Sequence, residues 1–146
     1  MKHTALFFHL LGLSVWMGAF VAMLICVFGL RSSHVGVESK QMLNKLQSTL
    51  TVIGNGGALA MLISGFVLFT MSDTHALWVD VMAGLGGGIC VFSIIAITLQ
   101  SGILSGRIKS NSFDELLTRQ LALLNVSSWI VTLGIVVVLA VVSYRV

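Results

Sequence analysis

Four long apolar runs, none interrupted by proline, constrain this chain more than any other feature. They cover about residues 4–30, 48–71, 76–104 and 121–143. A bilayer core of roughly 30 Å is crossed by about 20 apolar residues in a helix. Inside that core only helices or closed barrels satisfy the backbone, so each run is expected to be one membrane helix. Of the 146 residues, 57% are hydrophobic and 9% charged, which excludes an ordinary soluble domain. The expected architecture is all-α: a single four-helix domain spanning 1–146, integral to the membrane, in up-down-up-down order. The first run exceeds the length of a signal-peptide core and lacks a small-x-small cleavage site, so it reads as a retained helix.

Basic residues set the expected orientation. Arg31, Lys40 and Lys45 lie between the first two runs, and Arg107, Lys109 and Arg119 between the last two. These connections hold six of the eight Lys and Arg residues, which places them in the cytoplasm and both termini outside. Anionic inner-leaflet lipid then accounts for the net charge of +3. No basic patch interleaved with aromatics is present, so no nucleic-acid partner is expected.

Local patterns refine the helix ends. Met42, Leu43, Leu46 and Leu50 recur at helical spacing, so the second helix is expected to extend beyond the bilayer on its basic side. Ser112-Phe113-Asp114-Glu115 has the form of a capping box, which starts the fourth helix near 113. Small residues at Gly54, Gly57, Ala58 and Gly65, and at Gly84-x-x-x-Gly88, let helices approach closely or leave a void for a cofactor. Cys26 and Cys90 stand alone in membrane segments and read as buried small residues.

Polar residues inside these runs are the candidates for function, because an ionisable group there is costly. His9 lies five residues into the first run and shares a helical stripe with Gly12, Leu13 and Trp16. That stripe offers an imidazole ligand, a missing side chain and a flat aromatic wall, a combination suited to haem. Asp80 and Met82 enter the third run at similar depth: Met82 as a thioether sixth ligand, Asp80 as the partner orienting the imidazole. Asn55 and Asn125 sit at comparable depths near the opposite face and are expected to form an interhelical hydrogen bond. Copper is the alternative ion, held by His3, His9, His75 and outer methionines such as Met17 and Met71.

Phe8-His9-Leu10-Leu11-Gly12, followed by Trp16 and Gly18, resembles the first-helix signature of HemJ-type membrane protoporphyrinogen IX oxidases. It is also similar to the wider superfamily that includes copper-resistance D-type (CopD) proteins. Ile63-Ser64-Gly65-Phe66, Trp78, Gly106-Arg107 and Ala122-Leu123-Leu124-Asn125 extend the resemblance along the chain. It implies a bacterial inner-membrane protein whose first-helix histidine, His9, ligates haem b. Where the oxidases carry a third-helix lysine this chain has Met82, and Asn125-Val126-Ser127-Ser128 replaces their Asn-Glu-x-Pro. The basic and acidic groups such an oxidase would use are therefore missing, leaving enzymatic activity open. Three functions follow: a haem-b redox or electron-transfer protein with a membrane redox partner, a copper-handling protein, and a non-catalytic accessory subunit or assembly factor of a larger membrane complex. Homo-oligomerisation is left open by the sequence.

Overall fold

A computed structural model of the protein describes residues 2–32, 34–71, 77–109 and 115–143. They form four helices: α1 (Lys2–Arg31), α2 (Val37–Thr70), α3 (Leu77–Lys109) and α4 (Glu115–Ser143). Each contains a stretch long and apolar enough to cross a membrane, and the chain is a small multi-pass membrane protein with an all-α, four-helix bundle fold. The proposed capping residues Ser112–Asp114 lie outside the described residues, as does His75.

Each helix buries positions spaced by three or four residues. On α1 these are Gly12, Trp16, Ala19, Met23, Cys26 and Leu30. The series on α3 is Cys90, Ser93, Ile97, Ser101, Leu104 and Ile108, and on α4 it is Leu121, Leu124, Ser128, Val131 and Ile135. A 3.5-residue period keeps one seam turned toward a neighbour along the whole helix, as in a left-handed bundle. The same period accounts for two extensions beyond the apolar runs. α2 begins at Val37 because Asn44 and Gln47 continue its buried seam, and α3 reaches Lys109 because Leu104 and Ile108 continue its own.

The helices form a ring in which sequence neighbours touch and backbones across the diagonal do not. α1 and α2 are the closest pair, and α1 and α4 meet only slightly. Glycine explains the tight pair. A Cβ at Gly12 would lie 2.7 Å from both the Gly57 carbonyl oxygen and the Met61 nitrogen, and one at Gly57 would lie 2.8 Å from the Trp16 nitrogen. Backbone therefore packs on backbone, which is how helices gain contact where lipid offers no hydrophobic drive. The α3 glycines are different: among the described residues the outward-facing Gly84 and Gly88 have no neighbour within 4 Å, and Gly86 and Gly87 have none nearer than 3.9 Å.

Polar residues share the interior with apolar ones, while large apolar side chains also cover the outside. Asn44, Gln47, Thr51, Ser64, Ser93, Ser101, Ser127 and Ser128 are all buried, while Ile25, Val52, Phe66 and Leu133 face outward. Cys26 and Cys90 are buried free thiols, and Cys90 donates to the Ala58 carbonyl at 3.5 Å.

Candidate functional site: the His9 notch

His9 sits on α1 two turns before Trp16, toward the end of the bundle where α2 finishes and α3 starts. Its half-buried imidazole leans across to α2, and Nδ1 lies 3.0 Å from the Met61 carbonyl oxygen. A carbonyl oxygen only accepts, so Nδ1 carries the proton and donates it. In the neutral imidazole Nε2 then keeps its lone pair, the form in which histidine ligates a metal. The Ser64 hydroxyl, 3.5 Å from Nδ1, donates back to the Ala60 carbonyl at 2.6 Å.

The ring occupies space made by Gly65. A Cβ there would fall 3.0 Å from His9 Cε1 and 3.2 Å from Nδ1, closer than ordinary carbon contacts. We expect Gly65→Ala to displace the imidazole and stretch its bond to Met61 while leaving the bundle folded. Amide and imidazole NMR shifts of 15N-labelled protein would register the displacement. An unchanged Nδ1 proton resonance would show that Gly65 does not hold the ring.

Met61, Ser64 and Gly65 are thus the residues that set the histidine, and α1 sequence spacing does not reveal them. The only sequence signal is the small pair Ser64-Gly65 on a facing helix. Three residues expected around the imidazole serve otherwise. The group orienting the imidazole is the Met61 carbonyl rather than Asp80, which is exposed in the first turn of α3. Gly12 and Trp16 share the His9 face, but that face is covered by α2: Trp16 is 4% exposed, and Gly12 abuts Gly57. The clearance over Gly12 is filled by backbone, so room beside His9 has to come from elsewhere. Gly84 and Gly88 do not provide it, because both lie exposed on the outside of α3.

The side chains of Trp78 and Met82 lie outside the described residues, and with them the proposed sixth ligand. Asn55 and Asn125 do not bond to each other. Asn55 donates to the Thr98 hydroxyl at 2.8 Å, whereas Asn125 Oδ1 is buried with no partner among the described residues. The reason is the ring order: α2 and α4 lie across the diagonal. For copper, several soft or imidazole donors would have to converge. Among the described residues no three of His, Cys, Asp or Glu gather around a point, and the exposed His3 is six residues, hence a different helix face, from His9.

No known family, curated protein or solved structure matches the chain.

Proposed function

We propose that this small multi-pass membrane protein binds one haem b through Nε2 of His9 and serves a redox or electron-transfer role. The observation that carries the reading is the Nδ1 hydrogen bond to the Met61 carbonyl. It fixes the tautomer and the ring orientation, the task that outer partners perform for ligating histidines. The group needs only one protein nitrogen, which the chain supplies at the half-buried His9. Bound there, a haem would supply one-electron chemistry. This chain's residues would contribute the imidazole, its orientation by Met61, and an apolar surround. The same reading places the protein in a bacterial inner membrane with both termini outside, an orientation supported by the basic residues at the α1–α2 and α3–α4 connections.

The test is a visible spectrum of the purified protein, oxidised and dithionite-reduced, with a pyridine haemochrome assay and His9→Ala alongside. About one haem per chain that depends on His9 supports the proposal. A colourless protein from haem-replete cells overturns it.

One observation favours a second reading, the accessory subunit of a larger membrane complex. Gly84, Gly88, Gly102 and Gly106 all lie exposed on one side of α3 with nothing within 4 Å. The two Gly-x-x-x-Gly pairs recur about five turns apart at 3.6 residues per turn, so they share a face. Exposed pairs of this kind are what a partner membrane helix packs against. That reading predicts that a gently solubilised preparation carries larger partners in fixed ratio, and that Gly88→Leu with Gly102→Leu releases them. A preparation containing this chain alone, in wild type and variant, sinks it.

A further inference from the structure

The half of the bundle opposite His9 has a polar interior that the haem reading does not use. On α2, Asn44, Gln47, Thr51 and Asn55 follow one another at helical spacing and turn toward α3. α3 answers level by level. Ser105 donates to Asn44 Oδ1 at 3.1 Å and Gln47 Nε2 donates to Ser101 Oγ at 3.0 Å, while Asn55 Nδ2 donates to the exposed Thr98 Oγ1 at 2.8 Å on the outer side of the seam. Thr51 donates to the Gln47 carbonyl at 3.0 Å, with Ser101 Oγ at 3.4 Å and Met23 Sδ at 3.6 Å also in reach. Eleven helical steps of about 1.5 Å from Asn44 to Asn55 carry this ladder over about 16 Å, from the α1–α2 end to the middle of the bundle. A side branch crosses to α4, where Gln100 Nε2 donates to Ser127 Oγ at 2.8 Å.

These bonds leave polar atoms over. Gln47 Oε1, Gln100 Oε1 and Asn125 Oδ1 are buried with no hydrogen-bond partner among the described residues, and Gln47 as a whole is 0% exposed. Turning the Gln47 or Gln100 amide over only exchanges an orphaned oxygen for an orphaned NH2, since each has a single hydroxyl facing it. Native proteins rarely leave such groups unpaired. At the inner end of the ladder lies a cavity of about 10 Å³ lined by Thr51, Asn55 and Ser93 together with Trp16 and Met23, close to the space one water needs.

We propose that the α2–α3–α4 seam is an internal hydration site, with bound water at the orphaned amide oxygens and in the cavity beside Thr51 and Met23. Water fits because each orphan needs a small partner able to donate or accept. The ladder consists of amides and hydroxyls with no carboxylate, so a cation there would have no counter-charge in an apolar surround, which is costly. The proposal stands independently of haem at His9.

Met23 is the reporter. It is 1% exposed and touches Thr51, whereas Met17 on the same helix is only half-buried. In nanodiscs, millisecond X-ray hydroxyl-radical footprinting oxidises side chains beside water, bulk or bound. Met23 is screened from bulk water by the bundle and Met17 by the bundle and lipid, so a dry seam leaves Met23 no faster than Met17; a hydrated seam makes Met23 faster by roughly fivefold or more. Gln47→Leu combined with Thr51→Val should bring Met23 down to the Met17 rate. Met23 slower than or equal to Met17 in the wild-type protein overturns the proposal, and that comparison needs no variant. A Met23 rate that collapses when Na+ and K+ are exchanged for N-methylglucamine overturns it in favour of a bound cation.

Discussion

Gly12→Leu is expected to unfasten α1 from α2 and to be the most damaging single substitution in the bundle. Even a methyl at this position would meet the Gly57 carbonyl and the Met61 nitrogen at 2.7 Å, and both are backbone atoms that cannot swing aside. Overpacking of a tight interior costs about 1–3 kcal/mol, occasionally more, and a leucine adds three carbons to the clash. Gly18→Ala is the matched control. Nothing lies within 4 Å of its new methyl, so the change should be neutral or gain up to about 1 kcal/mol from helix propensity. Unfolding in mixed micelles with increasing SDS reads both. We expect Gly12→Leu to unfold at far lower SDS or fail to accumulate, Gly12→Ala to lose about 2 kcal/mol, and Gly18→Ala to track the wild type. Equal behaviour of the two alanine variants would refute the backbone contact as the fastener of the α1–α2 pair.

The second large effect is on cofactor content. On the proposed haem reading, His9→Ala should remove at least about nine-tenths of the bound haem, because His9 is the proposed ligand and the described residues hold no cluster of three His, Cys, Asp or Glu to replace it. The fold should survive: the substitution removes one hydrogen bond at a half-buried site, worth about 1 kcal/mol. The informative pattern is therefore an intact SDS unfolding curve beside a lost Soret band. A Soret band that persists at full height in His9→Ala would move the ligand elsewhere. Loss of both signals together would reduce His9 to a packing residue.

Some of this was legible in the sequence and some was not, for one physical reason. In lipid, the inside and the outside of a helix are both apolar, so the contrast that marks a buried face in a soluble protein is nearly absent. The four spans stand out by length alone. The inward faces are marked only by small and polar residues: Asn44, Gln47, Thr51, Ser101 and Ser128, repeating at three and four. Read with that inverted rule, the seams of α2 to α4 emerge from sequence. His9 was visible as an ionisable group out of place, but its partners were not, because the Met61 carbonyl is backbone and Gly65 acts through an absent side chain. Asn55 and Asn125 show the limit of depth as a guide. Equal depth brings two residues together only when their helices adjoin, and ring order is a property of packing.

The slight contact between α1 and α4 has a consequence for how the molecule is built. The α1–α2 hairpin carries its own fastener, so once both helices have left the translocation machinery it can settle before the second half is made. The α3–α4 hairpin then arrives as a late unit and docks along α2, where the Gln47, Thr51 and Asn55 ladder receives it. Closure between first and last helix adds little, and biogenesis need not wait for it. On this packing the two hairpins are expected to assemble one after the other, the second docking on the first.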